Sequence, residues 1–285
     1  MIKLFVTDLD GTLLAKHHQA DEKINDMIKK VNASGAYFAF ATGRAPNRAT
    51  PEEIDQPMYK ICMNGAIIAD SQDTILYRSH FHKDVLKELL ETFPEMDFEC
   101  FTSTKSYRRC SQEEWEDFMK KPFQPKHLRP GEEIDEDWRL KFMMDMAENI
   151  RFSQSVEDIL SHDICKVNLH LRHRDYDTDR LDAFLEKHKD SIVNLPCDTG
   201  MYELTNVGTD KGSAVSWLAH YLNIQEQEVA TYGDGGNDIP MLTRFEHSYS
   251  PCNGLDYVKK EAKHIIGPHY EYSVTNHILQ TLEEA

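Results

Sequence analysis

The sequence predicts an α/β protein: a doubly wound, mostly parallel sheet interrupted by an inserted α+β domain. Short apolar runs without alternation at 2–6, 36–41, 59–63 and 229–232 read as strands covered on both faces. Amphipathic helical patterns separate them, as strand-helix-strand units require. From about residue 83 the strands instead alternate apolar with polar, and after 195 the buried pattern returns. The expected division is a core of 1–82 and 195–285 and an insertion of 83–194.

The first run, Leu4-Phe5-Val6, stops at Asp8-Leu9-Asp10-Gly11-Thr12. Alternation on an extended chain puts Asp8 and Asp10 on one side. Two acids at a strand end suit a hard cation and proton chemistry; a strand followed by a solvated polar turn fits the same residues. Ile24, Met27, Ile28 and Val31 then form a helical stripe, with Asp21 as N-cap and Gly35 past its end. The second strand ends at Thr42-Gly43-Arg44 and the third at Asn64-Gly65. Ligands of open parallel sheets bind beyond the carboxyl ends of the strands, so these ends make one polar crevice. Residues 66–77 read as a hairpin turning at Asp70-Ser71-Gln72-Asp73.

In the insertion, Val85, Leu86, Leu89 and Leu90 mark a helix, and 98–101 a strand. The stretch 112–140, rich in charge, proline and tryptophan, shows no readable period. Residues 156–160 suit a helical turn. From Cys165 to Arg172, Cys165, Val167, Leu169 and Leu171 alternate with Lys166, Asn168, His170 and Arg172. Leu181, Phe184 and Leu185 mark a helix; 192–195 and 201–204 read as strands. Such alternation predicts a sheet with one open face, able to lie over the crevice. The core resumes at Lys211-Gly212, opening a helix with Val215, Leu218, Ala219 and Leu222 on one face. The strand 229–232 runs into Gly233-Asp234-Gly235-Gly236-Asn237-Asp238. A helix through Met241 and Leu242 and a short strand at 264–266 follow.

A chain of 285 residues with 32 basic and 49 acidic side chains carries a formal charge of −17. That excludes the basic footprint of a nucleic-acid binder and attraction to anionic membranes. An anionic substrate would need local cations, although solubility alone accounts for the overall charge. The six cysteines form no Cys-x-x-Cys pair, so no zinc or redox site is indicated. Asp8 and Asp10 interrupt the first apolar run too early for a signal peptide. No run approaches the roughly 20 apolar residues of a membrane span. The expected compartment is the cytoplasm; the oligomeric state is open.

Four motifs, Asp8-Leu9-Asp10-Gly11-Thr12, Thr42-Gly43-Arg44, Lys211-Gly212 and Gly233-Asp234-Gly235-Gly236-Asn237-Asp238, occur in the order that resembles the haloacid dehalogenase superfamily. Asn64-Gly65-Ala66 is similar to a signature of its Cof-type phosphatases. The resemblance covers roughly 1–82 and 195–270. It implies a Rossmann-like catalytic core and a cap domain that selects the substrate. It also implies a phosphatase for small phosphorylated metabolites, sugar phosphates among them, dependent on Mg²⁺.

By that resemblance Asp8 is the nucleophile, forming an aspartyl-phosphate, and Asp10 the acid and base. Mg²⁺ would take the side chains of Asp8 and Asp234 and the backbone carbonyl of Asp10. Asp238 would be a further ligand or an orienting residue. Lys211, Thr42 and the Gly43 N–H would bind the phosphate, and Asn237 would orient Lys211 or the phosphate. Arg44 and Asn64 are candidate substrate contacts; a surface arginine and a turn asparagine fit as well. Thr42 and Asp238 also suit helix caps. A solvated lysine at a helix start would also fit Lys211, but positive charge is unfavourable at a helix N-terminus, which favours the functional role. A phosphomutase, or an idle binding protein on the same scaffold, would share these motifs.

The chain departs from the family after the fourth motif. Where an alanine-methionine-x-asparagine-alanine stretch is usual, it reads Tyr249-Ser250-Pro251-Cys252-Asn253-Gly254, and only Asn253 fits. Among the histidines at 17, 18, 80, 82, 170 and 173, the adjacent His17-His18 has no matching ligand cluster nearby in sequence and reads as a surface pair rather than a metal site, and Phe142-Met143-Met144 reads as packing.

Overall fold

The first apolar run forms strand β1 (Leu4–Thr7), buried at every residue, in a computed structural model that describes residues 1–14, 19–120, 148–153, 155–171, 176–197 and 200–284. His17, His18, His173 and Phe142-Met143-Met144 lie outside those residues. Helix α1 (Glu22–Ala33) follows, capped by Asp21, which accepts the Ile24 N–H at 3.1 Å. Strands β2 (Tyr37–Ala41) and β3 (Tyr59–Cys62) come next, then the hairpin β4 (Ile67–Ala69) and β5 (Ile75–Arg78).

The insertion contributes α2 (Lys83–Thr92), β6 (Glu99–Phe101), β7 (Ser106–Arg108), α3 (Gln112–Met119), β8 (Ile150–Phe152) and α4 (Val156–Leu160). It continues with β9 (Lys166–His170), α5 (Thr178–Lys187), β10 (Ile192–Asn194) and β11 (Met201–Asn206). The chain then adds α6 (Lys211–Tyr221), β12 (Val229–Tyr232), α7 (Ile239–Arg244), β13 (His247–Pro251), α8 (Asp256–Lys259), β14 (His264–Ile266) and α9 (Ser273–Glu283).

Two compact units result, 1–79 with 208–285, and 80–207. The sequence pattern returns to the core at 195, but β11 pairs with β9 and β10, so residues up to 207 belong with the insertion.

The first unit holds an eight-stranded sheet in the order β14-β13-β12-β1-β2-β3-β4-β5. It is parallel from β14 to β3, and the hairpin adds two antiparallel strands. The strand order reverses at β1, flanked by β12 and β2, which places the switch point where Asp8 leaves the sheet. Leu4, Val6, Ala39, Ala41 and Ile61 pack against Val215, Leu218 and Ala219 of α6 and Met241 of α7. Each large side chain so buried stabilises by about 1.5–3 kcal/mol. Strand β13 has no apolar run to announce it; its Ser248 and Ser250 are fully buried between β12 and β14.

The second unit holds a six-stranded sheet, β10-β11-β9-β6-β7-β8, antiparallel except between β7 and β8. Cys100, Val167, Leu169 and Leu204 pack on Leu86, Leu89 and Leu90 of α2 and Leu181 and Phe184 of α5. The opposite face is not the open one that alternation predicts. Glu99, Arg108, Lys166, Asn168 and Glu203 are all less than a tenth exposed. Their charges are met by one another, which is what allows burial. Among the described residues no helix is long and apolar enough to cross a membrane.

Candidate active site

Four strand ends and one helix start carry the predicted site residues. Beyond β1 the chain does not stay extended. Leu9–Leu13 coils tightly, with the Leu13 N–H on the Asp8 carbonyl (3.2 Å) and the Leu14 N–H on that of Leu9 (2.9 Å). Gly11 sits at φ +81°, the left-handed region where a Cβ is strained. Asp8 and Asp10 have different hydrogen-bond partners there, yet both charges act on Arg44 and the Asp10 charge acts on Asp8.

Asp8 accepts from Lys211 Nζ at 2.7 Å, and Asp238 Oδ1 accepts from the same ammonium at 2.5 Å. Lys211 is fully buried at the first position of α6, whose start is capped by Asp210 accepting the Ser213 N–H at 2.7 Å. Burial works to lower the lysine's pKa, but Asp238 and Asp8 outweigh it and hold the charge firmly. For Asp8 the balance runs the other way. Burial pushes its carboxyl well above the usual range; Lys211 pulls it back, while Asp238, Asp234 and Asp10 push it further up.

Asp238 does not cap α7. Its Oδ2 accepts the backbone N–H groups of Asp234 and Gly235, both at 2.9 Å, so it shapes the loop and holds Lys211 at once. Asp234 Oδ1 accepts from the Thr12 hydroxyl at 2.6 Å. Thr12 was part of a legible motif, but only the fold shows its reach to Asp234. Asp8, Asp234 and Asp238 each bring one carboxylate oxygen within 4.8 Å of the others, and all three residues are buried. Among the described residues this is the one such cluster of three or more potential ligands. Three carboxylates against one ammonium leave a surplus of buried negative charge, and their donors are hard oxygens. Both features fit a divalent cation such as Mg²⁺.

Thr42 is buried at the end of β2; its Oγ1 accepts the Arg44 N–H at 3.2 Å, which leaves the hydroxyl proton to be donated elsewhere. Gly43 lies between them on the same loop. Arg44 is partly buried, its side chain 26% exposed. Its Nε and Nη2 donate to the two oxygens of Asp10 at 2.9 and 2.5 Å. Burial works against the guanidinium charge, yet Asp10 and Asp8 raise its pKa. Asn64, fully buried, occupies a left-handed turn at φ +55°. Its N–H reaches the Thr42 carbonyl at 3.0 Å, and its Oδ1 accepts from Asn237 Nδ2 at 3.0 Å. Asn237 thus donates to Asn64; the resemblance implies that it orients Lys211 or the phosphate. Asn253 donates to the Gly11 carbonyl at 2.9 Å.

A family model described as haloacid dehalogenase-like hydrolase matches residues 5–278. The Bacillus subtilis protein YxeH is 27% identical over 98% of this chain and 97% of its own length. YwtE of the same organism, a 5-amino-6-(5-phospho-D-ribitylamino)uracil phosphatase, is 23% identical over 99% of this chain and 98% of its own. Among solved structures, a haloacid dehalogenase-like hydrolase from B. subtilis superposes with a TM-score of 0.81 at 20% identity, covering 98% of this chain and 99% of that one. The subclass IIB sugar phosphatase BT4131 gives 0.74 at 17% identity, covering 98% of each. These likenesses to solved structures speak for the fold alone. With the family match spanning nearly the whole sequence, the chain belongs to the haloacid dehalogenase-like hydrolases and is a phosphatase of that family.

Proposed function

We propose that the protein is a Mg²⁺-dependent phosphatase of small phosphorylated metabolites, sugar phosphates among them, acting through an aspartyl-phosphate on Asp8. The observation that carries this is the unequal placing of two acids: Asp8 buried against Lys211, Asp10 half-exposed and paired with Arg44.

Phosphate monoesters hydrolyse extremely slowly in water, and a carboxylate nucleophile divides the reaction into two easier displacements. An Asp8 oxygen bonds to phosphorus as the ester oxygen leaves. Asp10 gives that oxygen its proton. Asp10 then takes a proton from water, whose oxygen bonds to phosphorus as the Asp8–phosphorus link breaks and phosphate departs. Lys211 fixes Asp8 and offers positive charge to the phosphoryl oxygens. Thr42 and the Gly43 N–H donate to them. Before Asp10 can reach the leaving oxygen, its pair with Arg44 must loosen, which the substrate's own anion favours by competing for the guanidinium.

Bound Mg²⁺ would offset the repulsion between the nucleophile and an anionic phosphate. Asp8, Asp234 and the Asp10 carbonyl are the proposed ligands. The three hydrogen bonds already on Asp238 suit it to orienting Lys211 and the Asp234 loop. The name of YwtE supports a phosphate on a sugar-like chain as substrate.

Purified protein with MgCl₂ should release phosphate from p-nitrophenyl phosphate and from part of a sugar-phosphate panel. Acid quench should leave a phosphoryl group on a peptide containing Asp8, and D8N should show neither. Phosphorus NMR should find free phosphate; an isomerised sugar phosphate would make the enzyme a mutase. Equal turnover by D8N would overturn the nucleophile assignment.

A further inference from the structure

We propose that Asn253 is a positioning residue: its carboxamide fixes the Asp8–Thr12 loop against the Asp234 loop, and so sets the spacing of the metal ligands. The proposal rests on the reading of Asp8, Asp10 and Asp234 given above. The catalytic steps do not use Asn253.

The side chain is held at both ends. Nδ2 donates to the Gly11 carbonyl at 2.9 Å, and Oδ1 accepts the His269 N–H at 2.9 Å. Turning the amide over would oppose two acceptors at one end and two donors at the other, so its sense is fixed. The target matters because Gly11, at φ +81°, joins the Asp10 peptide to the Thr12 peptide. A glycine hinge has little restraint of its own. Fixing the Gly11 carbonyl supplies that restraint right beside Asp10, whose carbonyl is a proposed ligand.

The same turn grips Asp234. The Leu255 N–H donates to the Asp234 carbonyl at 3.2 Å. A Cβ on Gly254 would lie 2.7 Å from Ser250 Oγ and 3.3 Å from Asp234 Cα, so the turn packs closely against the Asp234 loop. Thr12, next to Gly11, closes the circuit through its bond to Asp234 Oδ1. Turn 251–255 therefore bridges the two loops that carry the acids, although Asn253 and Gly11 are 242 positions apart.

N253D tests this, because it keeps an oxygen for His269 and faces the Gly11 carbonyl with an acceptor instead of a donor. Metal affinity is read as the midpoint of the Tm increase during MgCl₂ titration, without turnover. It should weaken roughly tenfold to a hundredfold, the usual cost of losing a group that orients a ligand. kcat for p-nitrophenyl phosphate should fall alongside, with KM unchanged. N253S, with a shorter donor, gives the same test with less repulsion if N253D folds poorly, and should show a smaller loss of the same kind. A lowered Tm with a wild-type Mg²⁺ midpoint and kcat would make Asn253 an ordinary structural bond and overturn the proposal. Wild-type protein that neither binds Mg²⁺ nor turns over, or D234N that binds Mg²⁺ like wild type, would instead overturn the site reading beneath it.

Discussion

Two buried charge clusters, one in each unit, use the same residue types for different ends. In the core, Lys211 faces Asp8 and Asp238, with Asp234 close by. In the insertion, Arg108 pairs with Asp97 at 2.6 Å and Glu99 at 3.1 Å, and Lys166 pairs with Glu203. The insertion cluster is a product of strand register: Glu99 lies opposite both Arg108 and Asn168, and Asn168 opposite Glu203. Each cation in it is paired with acids of the same sheet region, Ser106 adding a hydrogen bond to Glu99 at 2.6 Å. The core cluster is assembled from strand ends and a helix start far apart in sequence, and its single ammonium serves too many carboxylates. Filled pairing across strands reads as architecture. A surplus of like charge at strand ends reads as a site waiting for a ligand of opposite charge.

The sharpest way to break this contrast is to remove one charge from each cluster. D8N should lower kcat by about 10⁴-fold or more, as loss of a nucleophile does. It should leave Tm unchanged or higher, because burial and three neighbouring carboxylates already work against the Asp8 charge. R108M should do the reverse. It leaves Asp97 and Glu99 buried without their cation, a loss of about 3–5 kcal/mol in urea unfolding. Replacing Asp97, Glu99 and Arg108 together by apolar residues should recover most of that stability. kcat per folded molecule should stay at the wild-type value in both. A collapse of kcat in folded R108M would move the insertion cluster into the active site.

Mg²⁺ should separate the clusters by a smaller amount. At a hundredfold excess over its Kd, a ligand bound only by the folded chain stabilises by about 2.7 kcal/mol. Wild-type protein should show that gain in urea unfolding with MgCl₂, R108M should show the same increment, and D234N should lose it. An equal gain in D234N would place the cation elsewhere.

Legibility in the sequence follows the same division. Strands β1, β2, β3 and β12 announced themselves because both faces are apolar. β13 did not, because buried Ser248 and Ser250 look like loop residues until neighbouring strands enclose them. β7, α3 and β8 lie in charge-rich sequence whose burial depends on partners such as Asp97 with Arg108. The motif residues Asp8, Lys211 and Asp234 were legible as types with a chemical use. Their pairing was not: nothing local tells that Arg44 pairs with Asp10 or that Asn237 donates to Asn64. Such contacts span many residues and are decided by where strands end.

The smallest effect concerns a cluster that is neutral at its working pH. His277 of α9 lies against Tyr232 and Tyr249, with Nδ1 3.0 Å from the Tyr232 hydroxyl. Burial lowers its pKa from 6.5, the His264 charge lowers it further, and Glu284 opposes both. In the folded state His277 thus resists a proton that the unfolded chain accepts. Its contribution to stability is complete above pH 6.5 and is lost as pH falls below that value through the folded pKa. His277 should therefore begin to pull Tm down just below pH 6.5. H277Q should flatten that part of the curve. D8N should leave the His277 contribution intact, because Asp8 acts with the opposite sign: its raised folded pKa favours the folded state as pH falls. If H277Q kept the wild-type drop below pH 6.5, the proton taken up on unfolding would belong to another group, and burial of His277 against Tyr232 and Tyr249 would not set this part of the pH dependence.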